Sequence, residues 1–181
     1  MIGIIGQGFV GNAVYKKFKN FYEVLTYDLD KDKCNSDIEE IVFKCENIFV
    51  CLPTPMSKDG SCDISIIEQT LSSIDLIADN LETIKTVVLK STIPPGTTES
   101  LNKKFTSLNI VFNPEFLTER SAKFDFINQS RFILGGRKRN TGRVAELFRW
   151  RFGDSIPCIE TNFNTAEMIK YMNNCFFATK V

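Results

Sequence analysis

Short, almost wholly apolar runs alternate with amphipathic stretches along this chain. Met1 to Ile5, Glu23 to Tyr27, NIFVCL (47–52), TVVLK (86–90), NIVF (109–112), RFILGG (131–136) and SIPCIE (155–160) each read as a strand. Between them, Phe9, Val10, Ala13, Val14 and Phe18 recur at helical spacing. Ile38 to Lys44, Ile64 to Leu81, a stretch from near Thr97, and Thr141 to Phe152 also read as helices. Thr161 to Val181 reads as one more, with Met168, Tyr171, Met172, Cys175, Phe176 and Thr179 marking its face. Strands that are apolar throughout, rather than at every second position, belong to a parallel sheet covered on both sides. The pattern therefore predicts a doubly wound, mostly parallel α/β sheet over residues 1–161, followed by the start of a long C-terminal connecting helix over 162–181. That last helical pattern meets no glycine or proline stop, and the expectation is a fragment or a truncated relative of something longer.

The first strand runs into GQGFVG (6–11), a G-x-G-x-x-G spacing that opens a helix, and the second strand ends on Asp28. Strand, glycine turn, helix and acid make up a Rossmann-type dinucleotide fingerprint when they occur together. Gly6 makes the tight turn, Gly8 lets the backbone approach a pyrophosphate, and Gly11 lets the helix pack closely on the strand. A helix N-terminus offers unpaired N–H groups and a positive dipole end to that pyrophosphate. Asp28 can accept both hydroxyls of a ribose and would repel a 2′-phosphate, which favours NAD over NADP. Lys31 and Lys33 weaken that preference a little.

At 181 residues the chain suits one domain with a real core. Twenty-two basic and 22 acidic residues leave no net charge and no basic block, so a nucleic-acid surface is not expected. No apolar run approaches a membrane span. The N-terminal run has no basic flank and breaks at Gly6, unlike a signal peptide. Six scattered cysteines, none in C-x-x-C spacing, read as reduced thiols of a cytoplasmic protein. The absence of histidine excludes a histidine base and any histidine-ligated metal, and no metal site is expected. Dehydrogenases of the lactate or malate type therefore fit poorly.

Three later stretches carry candidate chemistry. In LKSTIPPGTTESL (89–101), Ser91 and Thr92 follow a strand, where ligands of such sheets bind, and could aim hydroxyls at a cofactor or a water. A capped helix start explains the same residues equally well. In FNPEFLTERSAKFDF (112–126), Glu115 and Glu119 lie four apart and could do acid–base work, or stand as solvated loop acids. In TAEMIKYMNN (165–174), Lys170 and Asn174 share a helix face and could stabilise an oxyanion, or simply face solvent.

Taken in order, GQGFVG, CLPTP (51–55), KSTIPPGTT, NPEFLTE, SRFILGG and AEMIKYMNN resemble the N-terminal NAD-binding domain of the UDP-glucose/GDP-mannose dehydrogenases over nearly the whole chain. That resemblance implies oxidation of a nucleotide-sugar primary alcohol to a uronate with two NAD, through an enzyme-bound thioester. It implies that Thr92 and Glu115 activate the hydrolytic water, that Glu119 sits near nicotinamide and substrate, and that Lys170 and Asn174 stabilise the oxyanion. On the cofactor side it implies Gly6, Gly8, Phe9, Val10, Gly11, Asp28, Pro53, Thr54, Ser91, Thr92, Glu119 and Arg131. A homodimer through 162–181 is a further expectation. Two departures stand out. The family's nucleophilic cysteine lies in a CFPKD-like segment that this sequence does not contain, and neither does it contain the C-terminal domain that grips the nucleotide diphosphate. Arg120 also stands where the family usually has a small residue. An NAD-binding module without catalysis, or a 6-phosphogluconate or 3-hydroxyacyl-type dehydrogenase domain, are the alternatives. The KSTIPPGTT and NPEFLTE stretches argue against the latter.

Overall fold

In the computed structural model, residues 1–116 and 131–180 are described. The strands are β1 (Ile2–Ile5), β2 (Val24–Tyr27), β3 (Asn47–Val50), β4 (Lys85–Leu89), β5 (Leu108–Phe112), β6 (Phe132–Gly135) and β7 (Cys158–Thr161). The helices are α1 (Phe9–Phe18), α2 (Ile38–Lys44), α3 (Ser65–Asn80), α4 (Thr97–Lys104), α5 (Lys138–Phe152) and α6 (Phe163–Lys180), with a short 3-10 turn at Lys31–Lys33. The strands form one sheet in the order β2-β1-β3-β4-β5-β6-β7. Neighbours are parallel except β5 and β6, which meet antiparallel with Phe112 opposite Gly135. The strand pattern alone gave no sign of that reversal, because an apolar run buried on both faces looks the same in either direction.

The period of two along each strand sorts the core into two layers. Ile2, Ile4, Phe49, Val88, Val111 and Leu134 face Val14 and Phe18 of α1 and Val144 and Phe148 of α5. Ile5, Ile48, Val50, Val87, Leu89 and Ile110 face α2, α3, α4 and Ala166 of α6. Aromatic rings fill the first layer; Phe132 and Phe148 sit with centroids 4.6 Å apart. The apolar strands predicted from sequence are thus buried on both faces, apart from β7, whose Ile159 is 43% exposed at the sheet edge.

Helix α6 departs from the face its sequence suggests. Its buried residues are Ala166, Glu167 and Lys170. Met168, Met172, Phe176 and Phe177 stand exposed. A close approach to the sheet decides this: a Cβ on Gly135 would lie 2.4 Å from the Ala166 Cβ, so small residues meet there, with Ile169 packed beside them and the methionines and phenylalanines further on left outside. No helix among the described residues is long and apolar enough to cross a membrane.

Candidate functional site

The chain leaves β1 to one side for β2 and returns to the other side for β3, so a crevice opens above the carboxyl ends of β1 and β3. A cavity of about 820 Å³ occupies it. Its near wall is the glycine turn. Gly6 has φ +91° and its N–H donates to the Tyr27 carbonyl at 2.8 Å. A Cβ on Gly11 would lie 1.8 Å from the Gly6 carbonyl oxygen, so only glycine lets α1 start this close to the strand. A Cβ on Gly8 would meet nothing within 4 Å; this residue faces open space on the cavity side. No side chain caps the first turn of α1 at Gly8, and that turn contains no acid. Its N–H groups and positive end are therefore available to an anion. At the rim, Asp28 accepts from the Gln7 N–H (2.5 Å) through Oδ2 and from the Asp30 N–H (3.0 Å) through Oδ1. These two bonds fix the carboxylate and leave each oxygen a lone pair for a further donor. Open backbone at Gly8, an uncapped helix start and a fixed acid one strand away fit a dinucleotide.

The inner end of the cavity is built where β4 and β5 run side by side. Leu89 pairs with Phe112, so the residues that follow each strand meet. Lys90 Nζ lies 3.0 Å from Glu115 Oε2, with the two side chains 1% and 6% exposed. It also donates to Asn113 Oδ1 at 2.9 Å, and Asn113 Nδ2 donates to the Ile133 carbonyl at 2.9 Å. From α6, the Lys170 ammonium donates to the Glu115 backbone carbonyl and sits 5.4 Å from the Phe116 ring centroid. Burial holds the Lys170 amine below its ordinary value; the Glu115 carboxylate opposes that shift and Lys90 adds to it. Two lysines and one carboxylate thus meet at the inner end among the described residues.

Most of the residues expected at a site do converge here. Gly6, Gly8, Phe9, Val10 and Asp28 line the outer part, and Pro53 and Thr54 the far wall. Ser91, Thr92, Glu115 and Lys170 line the inner part. The Ser91 hydroxyl is engaged elsewhere than expected: it donates to the Leu52 carbonyl at 2.6 Å and accepts the Leu52 N–H at 3.1 Å, tying the CLPTP loop to β4. Thr54 repeats the tie through its hydroxyl to the Thr92 carbonyl at 2.8 Å. Glu115 is buried, at 5% exposure, and is no solvated loop acid. Gly11 lies behind the turn. Arg131 and Asn174 are exposed and stand outside the cavity lining. Glu119 and Arg120 lie outside the described residues.

Sequence reasoning missed Lys90, Asn113 and Glu167. The signal for Lys90 was present: a charged residue closing the buried run TVVLK needs a partner. Asn113 stands next to Pro114 and reads as a turn residue. Glu167 reads as helix surface, yet it is fully buried. Cys51 also lines the cavity; desolvation pushes its thiol up to about 12.

Residues 23–150 match the UDP-glucose/GDP-mannose dehydrogenase family, NAD binding domain. UDP-glucose 6-dehydrogenase TuaD of Bacillus subtilis is 34% identical over 81% of this chain and 32% of its own length. UDP-glucose 6-dehydrogenase AglM of Haloferax volcanii is 30% identical over 99% of this chain and 52% of its own length. The chain spans only about half or less of these curated relatives. A UDP-glucose dehydrogenase from Pyrobaculum islandicum superposes with a TM-score of 0.88 at 24% identity, covering 99% of this chain and 50% of that structure. At that identity the likeness concerns the fold.

Proposed function

Since this chain belongs to the UDP-glucose/GDP-mannose dehydrogenase family and carries its NAD binding domain, we propose that it serves as the NAD-binding half of a nucleotide-sugar 6-dehydrogenase. Bound NAD supplies a hydride acceptor at the cavity. Asp28 receives the adenosine ribose hydroxyls, and the N–H groups at the start of α1 receive the pyrophosphate. Phe9, Val10, Pro53, Thr54 and Ser91 form the walls, and the same reading assigns Arg131 and Glu119 to the cofactor. At the inner end, Glu115 and Thr92 hold and activate a water, while Lys170, with Asn174, stabilises negative charge on the sugar oxygen. The observation that carries this reading is the buried Lys90–Glu115–Lys170 cluster at the inner end of the same cavity whose rim holds Asp28. A structural ion pair alone needs no second lysine brought in from α6.

The reaction also needs a thiolate to trap an aldehyde. Cys51 is the cysteine that lines the cavity, and its raised thiol stays protonated near neutrality. The chain alone therefore forms no uronate, and the nucleotide-sugar chemistry requires a nucleophile from outside these residues. The six cysteines are all free, which suits the cytoplasm as its place of action. Calorimetric titration tests the cofactor reading. NADH binds at least tenfold more tightly than NADPH, a difference of about 1.4 kcal/mol, and Asp28→Ala removes most of that gap. Equal affinities in the unmodified chain would take Asp28 out of its role, and no binding of either would overturn the reading.

A further inference from the structure

Helix α4 begins without a cap of its own. Its N-cap is Gly96, in the left-handed region at φ 92°, and the N-cap position provides no side-chain bond. The Gly96 and Thr98 N–H groups at that start are met from α6 instead, while the Thr97 N–H donates to the Pro94 carbonyl. Glu167 Oε2 accepts from the Gly96 N–H at 2.6 Å. Glu167 Oε1 accepts from the Thr98 N–H at 2.7 Å and from the Thr98 hydroxyl at 2.5 Å. Glu167 is 0% exposed. A carboxylate so deeply buried is tolerated only when its lone pairs are filled, and the positive end of α4 favours its charge.

Glu167 stands one residue after Ala166, which packs on Gly135, and one turn before Lys170, whose ammonium reaches the Glu115 carbonyl. Along this stretch α6 is therefore gripped at three points. Ala166 meets β6, Glu167 meets the turn that follows Thr92, and Lys170 meets the loop after β5. Ile169 packs against the core beside these grips, whereas Met168, Met172, Phe176 and Phe177 stand exposed and add nothing to the seating. How far the Lys170 amine enters the cavity is set by how α6 is held, and Glu167 makes the three polar bonds nearest to it on that helix.

We propose that Glu167 is a positioning residue, whose carboxylate latches α6 to the start of α4 and thereby sets the depth at which Lys170 enters the cavity. This rests on the reading of Lys170 as a working cation of the site, and it adds to that reading the group that places it. A purely structural Glu167 would stabilise the fold as a whole and leave Lys170 no more affected than any other buried lysine. Lys85 provides that comparison, because it is also buried, at 6% exposure, and lies at the opposite end of β4.

The test measures the rate at which each lysine of the intact chain is acetylated by a small reactive ester, read peptide by peptide by mass spectrometry. In Glu167→Gln the amide nitrogen faces an N–H donor, so at least one of the bonds is lost with little change of volume. Lys170 is then acetylated at least tenfold faster than in the unmodified chain, while Lys85 keeps its rate. Thr98→Val, which removes only the hydroxyl donor, shifts Lys170 in the same direction by less, and serves if Glu167→Gln does not fold. Equal acceleration of Lys170 and Lys85, or an unchanged Lys170 rate in a folded variant, overturns the proposal. NADH titration run alongside separates the two readings: failure of the unmodified chain to bind NADH counts against the proposed function, whereas the Lys170-to-Lys85 comparison judges the latch by itself.

Discussion

Lys170 is the residue at which fold and chemistry are most closely coupled. Unfolded, its amine titrates at the ordinary 10.5; folded, burial lowers it. Between the lowered value and 10.5 the unfolded chain binds more protons, so this residue makes the protein more stable as pH rises through that window. Below the window its burial cost is present in full. Chemical denaturation at several pH values between about 7 and 10 checks this. The unmodified chain gains stability relative to Lys170→Met as pH increases, and a difference that stays flat would place the amine in water. The cysteines give a second reading at this scale. Burial raises Cys45 to about 11 and Cys51 to about 12, whereas Cys175 is exposed. At pH 8 a thiol of pKa 12 is ionised about once in ten thousand molecules. Iodoacetamide therefore labels Cys175 first, with Cys45 and Cys51 last in the native state. Early labelling of Cys51 would reopen it as a nucleophile.

Among the elements, α6 has the least expected arrangement. Its sequence advertises an apolar face of methionines and phenylalanines, and its buried residues are alanine, glutamate and lysine instead. The reason is the distance between helix and sheet. With Gly135 beneath Ala166 there is room for two small residues and for side chains that reach past them. Gly135→Ala places a methyl group 2.4 Å from the Ala166 Cβ and costs about 1–3 kcal/mol of stability by urea denaturation. Adding Ala166→Gly recovers a large part of that loss, which a double-mutant cycle reads as a coupling of at least about 0.5 kcal/mol. Independent, additive effects would mean that α6 is seated by other contacts. The antiparallel step from β5 to β6 belongs to this scale too. It turns β6 and β7 against the rest of the sheet, and it lets α6 run from β7 toward the cavity with Lys170 at its inner end.

At the scale of the molecule, the outward face of α6 presents Met168, Met172, Phe176 and Phe177, each between 46% and 65% exposed. A row of large apolar side chains on one helix seeks cover. We expect the chain to form a homodimer or larger assembly through residues 162–181, measured as mass by light scattering across a concentration series. Met172→Glu with Phe176→Glu shifts it to the monomer, because burying two carboxylates at such a contact is unfavourable. A monomeric mass for the unmodified chain at high concentration would exclude this assembly.

The order of strands and helices, the class of sheet and the glycine turn with Asp28 were readable from the sequence. Each depends on local rules: apolar runs that mark buried strands, a 3.6-residue period, and glycines where a Cβ has no room. The inner site was readable only in part. Thr92, Glu115 and Lys170 could be named from their motifs, but spacing alone gave Thr92 a cap just as readily and favoured a solvated Glu115 and Lys170. Tertiary structure alone decided that Glu115 is buried against Lys90, that the Ser91 hydroxyl ties the loop to β4 while the residue lines the cavity, and that Asn174 is exposed and outside that lining. It also decided that Glu167, a surface residue by every local rule, closes the end of a helix 69 residues distant in the chain. Charge burial and hydrogen-bond partnership are set by what lies across space, and a sequence read along its length holds no record of those neighbours.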